Sequence, residues 1–216
     1  MNSLKGKAAI VGIGEVPTGR HPDKACISFG MMAARQAIQD AGLKKDEIDF
    51  VIPTGVVYNN GVNNDLVTCR FVEELGLKGV KTNELVFAGG ASGSCMLKTA
   101  ASLVNSGVAK CVLCAHMEKL GTGVPTSQGV IDLFSTAGIS QEWEVPYGQH
   151  YSTIAALATT RYQHETGTSD EALAAVCVSN RKWAELNPNA FFRKPLNIEE
   201  VLKSKILSTP LRAKQS

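Results

Sequence analysis

The stretch Asn83-Glu-Leu-Val-Phe-Ala-Gly-Gly-Ala-Ser-Gly-Ser-Cys-Met-Leu-Lys-Thr-Ala-Ala-Ser-Leu-Val-Asn-Ser-Gly-Val-Ala-Lys-Cys-Val-Leu-Cys-Ala-His116 decides the fold. Asn83 to Ala88 reads as a strand. Gly89-Gly-Ala-Ser-Gly93 is a tight turn, and Ser94 to Asn105, built on Ala, Leu and Met, is a helix closed by Ser106-Gly107. Val108 to His116 is a second apolar strand. Strand, helix and strand in this order make a βαβ unit and call for a layered α/β domain.

The flanks extend the pattern. Lys7 to Gly14 is an apolar run ending in glycine and reads as the first strand. Asp23 to Asp40 carries Ile27, Met31, Ala34 and Ile38 at helical spacing, with Gly42 as its stop. Asp49 to Pro53 is a further strand, and Asn64 to Glu74 a helix ended by Gly76. Gly121 to Gly148 is different: rich in Gly, Ser, Thr, Pro and aromatics, with little periodicity. It is too long for an ordinary connection and reads as a functional insertion. Tyr151 to Glu165 follows as a helix with Ile154, Leu157 and Tyr162 on one side. A helix capped by Thr168 or Ser169 runs to Leu186 and stops at Asn187-Pro188. A short helix covers Asn197 to Lys203, and Lys205 to Pro210 is extended.

Composition bounds the function. The 216 residues carry a net charge of +2, too little to argue for nucleic acid or an anionic membrane as the main partner. No apolar run approaches the length of a membrane span. Met1 to Lys7 is not followed by an apolar stretch of signal-peptide type, so a cytoplasmic or organelle-matrix protein is expected, cytoplasmic first. The six cysteines lie scattered in apolar stretches and are expected as reduced thiols. Cys111-Val-Leu-Cys114 has C-x-x-C spacing. On a strand, however, residues three apart point to opposite faces, and no second pair completes a tetrahedral site, so no metal is expected.

Gly12-Ile-Gly14 follows a strand, but a dinucleotide fingerprint wants Gly or Ala where Pro17 stands, and no helix begins there. Gly89 to Ser94 is more informative. Small residues there let a ligand approach the backbone, and a helix N-terminus favours an anion or a thiolate, with Cys95 in the first helical turn. The same residues also suit a plain sharp turn with Cys95 as a small packed hydrophobe. Spacing alone leaves both readings open.

Three segments resemble thiolases, specifically the lipid-transfer-protein-like branch related to sterol carrier protein 2. They are Ala9-Ile-Val-Gly-Ile-Gly-Glu-Val-Pro-Thr-Gly19, the run from Gly89 to Lys119, and Ala174 to Leu196 with Glu200-Val-Leu202. The Asn187-Pro188 and Arg193-Lys194-Pro195 wording is the most branch-specific. The resemblance covers essentially the whole chain and implies the amino-terminal half of a thiolase: a βαβαβαββ domain, a layered mixed sheet with helices on both faces, carrying an inserted loop domain. The implied division is 1–119 core, 120–167 loop domain, and 168–216 return to the core. The carboxy-terminal half of the family, with its activating histidine and second cysteine, has no counterpart here.

What the resemblance implies for chemistry turns on Gly90. Condensing thiolases carry a nucleophilic cysteine in a Cys-Ala-Ser-Gly-like turn. Ala91-Ser92-Gly93 match it, and the cysteine position falls on Gly90, which has no side chain to acylate. Cys95, five residues on, is the weak catalytic candidate. Gly89, Gly90, Ser92, His150 and Arg193 are the expected substrate-binding residues, Arg193 toward a CoA phosphate. His116 ends a core strand and is expected to be packed and hydrogen-bonded, while His21 and His164 read as surface. Tyr147, Tyr151 and Tyr162 read as packing residues before pocket residues. The implied function is acyl-CoA C–C bond formation or cleavage, of acyltransferase or retro-aldol type, by a protein incomplete on its own. The alternatives are a non-catalytic acyl-CoA or lipid-binding or assembly subunit, and a truncated thiolase. No cofactor is expected beyond the coenzyme A thioester itself. Expected partners are a second copy, or a second thiolase-like or OB-fold/zinc-ribbon chain.

Overall fold

The computed structural model describes residues 4–56, 63–123, 126–135 and 139–215. The chain forms two compact units, one of Met1–Val16 with Arg20–Val124 and the other of Pro17–Gly19 with Pro125–Ser216.

The first unit is the α/β layer structure that the alternation calls for. Its sheet has three parallel strands in the order β2-β1-β3, with β1 at Phe50–Pro53, β2 at Thr82–Asn83 and β3 at Val112–Ala115. Past β2, an isolated bridge joins Val86 to Thr54 in the same parallel sense. All four residues of β1 are buried, as a parallel strand covered on both faces must be. On one face, α1 (Cys26–Asp40) and α2 (Val67–Leu75) pack Ile27, Met31, Ala34, Ile38 and Phe71 against Val51, Leu113 and Ala115. On the other, α3 (Ser92–Asn105) brings Met96, Ala100 and Leu103 against Phe50, Ile52, Val112 and Cys114. Gly76 ends α2 with φ +66°, the left-handed cap that glycine adopts without strain.

The expected first strand is not in the sheet. Residues 8–14 make no strand pairing, and Ile10, Val11 and Ile13 are 70%, 62% and 74% exposed. The segment lies instead along α1. The Ile13 amide donates to Asp40 Oδ2 at 2.9 Å and the Glu15 amide to Gln36 Oε1 at 3.0 Å. Gly12 and Gly14 make that approach possible. A Cβ on Gly14 would sit 2.0 Å from the Ala33 carbonyl oxygen, and one on Gly12 2.3 Å from that of Ala37. An apolar cavity of about 880 Å³ separates the segment from the outer edge of β3, lined by Val11, Ile13, Ala37, Ala101, Cys111 and Leu113 among others.

The second unit is mainly helical. Of the expected insertion, 124–125 and 136–138 lie outside the described residues. Its flanking parts are more regular than the weak periodicity suggests: α4 covers Leu120–Gly123, still in the first unit, and α5 covers Ser127–Ser135. Within α5, side-chain bonds such as Gln128 Nε2 to Asp132 Oδ1 support the turns. Next come α6 (Tyr151–Thr166), α7 (Asp170–Leu186) and α8 (Ile198–Leu202). Ser169 caps α7 by accepting from the Ala172 amide, and Asn197 and Glu200 form a reciprocal capping box on α8. A hairpin of β4 (Ile206–Ser208) and β5 (Leu211–Arg212) closes the chain, antiparallel and separate from the first sheet. The apolar side expected on α6 is not covered: Leu157 is 63% and Tyr162 51% exposed, and only Ala156 of that helix is buried.

Placing a methyl group between the 8–14 segment and α1 should be costly. Gly14→Ala is expected to lower the stability of the chain by about 1–3 kcal/mol, read as a shift of the urea unfolding midpoint at unchanged slope.

Candidate functional site

The carboxyl ends of parallel strands are where open α/β sheets place their ligands. Here Thr54 follows β1, His116 follows β3, and the chain beyond Val86 enters the glycine turn. Gly89–Ala91 forms a single 3-10 turn, and α3 begins at once at Ser92, two residues earlier than expected.

Ser92 explains the early start. Its hydroxyl is 1% exposed, donates to the Gly89 carbonyl at 2.7 Å and accepts from the Ala88 amide at 2.9 Å. Gly89 has φ +54°, a conformation that glycine enters without strain. The Ser92 side chain therefore shapes the turn from within and does not face outward. Gly90 does face outward: a Cβ there meets nothing within 4 Å, and the same holds at Gly93. The turn thus presents bare backbone to open space where the resemblance places a cysteine nucleophile. Cys95 lies one helical turn into α3 and is half-buried.

The two cysteines of the C-x-x-C spacing separate as strand geometry requires. Cys111 packs on the α1–α2 face and Cys114 on the α3 face. Burial pushes the Cys114 thiol up to about 11. It does the same to Cys26, which also feels the Glu118 carboxylate, and it raises Cys111, with Asp49 adding to the effect. Among the described residues, no three His, Cys, Asp or Glu side chains come together as a metal-ligand group.

His116 is not the packed histidine expected of a residue ending a core strand. It is exposed, and its Nδ1 lies 3.3 Å from the fully buried Thr54 hydroxyl. The register that pairs Pro53 with Ala115 sets the next residues, Thr54 and His116, side by side. The signal was present in the sequence: two polar residues, each directly after a buried apolar strand.

His150 and Arg193 belong to the second unit. His150 is the N-cap of α6. Its Nδ1 accepts from the Ser152 amide at 3.3 Å, and Thr153 bonds back to its backbone. Arg193 is exposed and donates from Nη2 to the Glu185 carbonyl near the end of α7. Nearby, Arg181 stands over the Phe192 ring at 5.2 Å. Tyr147 is 86% exposed, which removes it from any packing role.

No family model matches the chain. It is 28% identical over 204 residues to an acetyl-CoA acetyltransferase of Methanothermobacter thermautotrophicus, covering 94% of this chain and 52% of that protein. It is 28% identical over 216 residues to a steroid side-chain-cleaving aldolase of Thermomonospora curvata, covering 98% of this chain and 54% of the relative. Among solved structures it superposes on the Ltp2-ChsH2(DUF35) aldolase with a TM-score of 0.81 at 25% identity, over 98% of this chain and 52% of that one. The chain thus spans about half the length of the relatives it matches. It has the thiolase fold, and its relatives are thiolase-superfamily proteins of the sterol-carrier-protein-2-like kind.

Two measurements check the site's construction. Ser92→Ala removes a buried hydroxyl with two backbone partners, and is expected to lower stability by about 1–3 kcal/mol and to speed amide exchange at Ala88. Timed alkylation with iodoacetamide near pH 8 should label exposed Cys69 first and half-buried Cys95 next, with Cys26 and Cys114 last, because their thiols stay protonated.

Proposed function

We propose that this thiolase-fold chain is the amino-terminal, acyl-CoA-handling half of a protein that forms or cleaves a C–C bond next to a thioester carbonyl, without a covalent acyl-enzyme. The observation that carries the reading is Gly90. It stands open at the turn where the resemblance places the nucleophile, so nothing there can be acylated. What remains suits a non-covalent mechanism. Backbone amides at the start of the 14-residue α3, beyond those of Ala91 and Ser92 that donate to Ala88 and Gly89, can hold the oxygen of an enolate, and an acid/base side chain moves the proton. Retro-aldol cleavage of a CoA-linked side chain fits this better than thiolysis, and the aldolase likenesses in sequence and structure support it.

In this reading Gly89 and Gly90 approach the thioester and Ser92 keeps their turn in shape. His150 and Arg193 remain proposed contacts for the substrate, Arg193 for a phosphate of CoA. The thioester is the substrate, and no other cofactor is assigned. The division into 1–119, 120–167 and 168–216 is kept as the proposed organisation of the longer thiolase half, and a cytoplasmic setting as the proposed location. No helix of the described residues is long and apolar enough to cross a membrane.

The chain is proposed to work as a homodimer or with a second chain, thiolase-like or of OB-fold/zinc-ribbon type. The exposed apolar side chains of α7 favour a complement: Val176, Trp183 and Leu186 are 61%, 72% and 74% exposed. The same observations favour a second reading, an acyl-CoA-binding or assembly subunit without chemistry.

Incubation with acetoacetyl-CoA and free CoA separates the possibilities. The unmodified chain should give no thiolysis, and Gly90→Cys by itself should not create it. Thiolysis by the unmodified chain would overturn the proposal. Binding of acyl-CoA with no turnover in the complete native assembly would select the second reading.

A further inference from the structure

Thr54 and His116 extend the face of the sheet that α3 covers. Along β1 that face carries Phe50 and Ile52, and along β3 it carries Val112 and Cys114, all in contact with the α3 cluster. Thr54 and His116 are the next residues of the same parity. The Cys114 thiol lies 3.9 Å from the Met96 carbonyl, which fixes the level of the helix over the strand. From Cys114 to His116 is two strand residues, about 6.6 Å. From Met96 back to Ser92 is four helical residues, about 6 Å. Because α3 returns antiparallel to the strands, these two advances run the same way. They bring the imidazole to the level of the glycine turn. Nδ1 is tied to the Thr54 hydroxyl, and among the described residues Nε2 of the exposed histidine meets no hydrogen-bond partner.

We propose that His116 is the proton-transfer group of this site, positioned by Thr54. This rests on the reading of the glycine turn as a place for CoA thioesters. With the thioester oxygen at the Gly89–Gly93 backbone, Nε2 takes a proton from the carbon next to the carbonyl. That C–H bond breaks, its electron pair moves into the enolate, and imidazole becomes imidazolium. The reverse step returns the proton to the same carbon. No other reactant enters.

The half-reaction can be followed in the chain as it stands. Acetyl-CoA in D₂O should exchange its methyl protons for deuterium in the presence of the chain, while in a parallel sample in H₂O the Gly89–Gly93 amide resonances report binding. His116→Ala and His116→Gln should lower exchange about 100-fold or more with the amide shifts retained, and added imidazole should restore part of the rate to His116→Ala alone. Thr54→Val should lower exchange about five- to tenfold, and Thr54→Ser should recover it. Exchange at an unchanged rate in His116→Ala overturns the proposal, as does binding without exchange in the unmodified chain. Both of these leave the binding site in place. Amides that do not move with acetyl-CoA overturn the binding site and this proposal together. An unchanged rate in Thr54→Val removes Thr54 from the role.

Discussion

Asp49 sets the register on which the first unit depends. Its carboxylate accepts from the Lys110 amide at 2.9 Å and from the Cys111 amide at 3.0 Å, while its own amide donates to the Cys111 carbonyl. Its carbonyl accepts from Lys81 as the chain enters β2. One residue ahead of β1 thus holds the starts of both neighbouring strands. A parallel sheet buried on both faces tolerates no slip, because a one-residue shift exchanges the two faces of every strand. Here it would send Ile52 toward α1 and Val51 toward α3. It would also part Thr54 from His116, since they meet only because Pro53 pairs with Ala115.

The same register explains why the glycine turn is built from within. The bridge from Thr54 to Val86 delivers the chain to the sheet's carboxyl end, and two residues, Phe87 and Ala88, remain before Gly89. Ser92 closes that short path with one hydroxyl acting as donor and acceptor. A buried hydroxyl with both roles filled is stable where it stands and is not available to a ligand. The turn can therefore be rigid and still leave Gly90 open to the outside.

Most of the first unit was legible because it rests on local pattern. The spacing of Ile27, Met31, Ala34 and Ile38 places α1, and all four are buried. The apolar runs at 50–53 and 112–115 mark strands covered on both faces. Residues 8–14 carry the same kind of run and misled for a physical reason. Gly12 and Gly14 are needed for contact with the α1 backbone, and glycine in an apolar run does not disclose whether it sits in a sheet or against a helix. On the candidate site, the glycine turn between strand and helix was legible from Gly89-Gly-Ala-Ser-Gly93. His116 was legible only as a polar residue directly after a strand, because its meeting with Thr54 follows from a register that joins residues more than sixty positions apart. The exposed face of α6 was illegible for a related reason: periodicity reports a face that could be buried, not what covers it.

The position of Cys95 bears on whether the turn retains any covalent option. A nucleophile replacing one at Gly90 has to reach the carbon of a thioester whose oxygen lies on the turn, within about 3–3.5 Å of attack. Gly90 belongs to the 3-10 turn ahead of α3, whereas Cys95 lies inside the helix and is half-buried. Met96, beside it, is buried against the sheet, so the helix cannot rotate to bring the thiol forward without lifting that side chain out of the core. The packing of Met96 thus fixes the helix that carries Cys95 against the sheet.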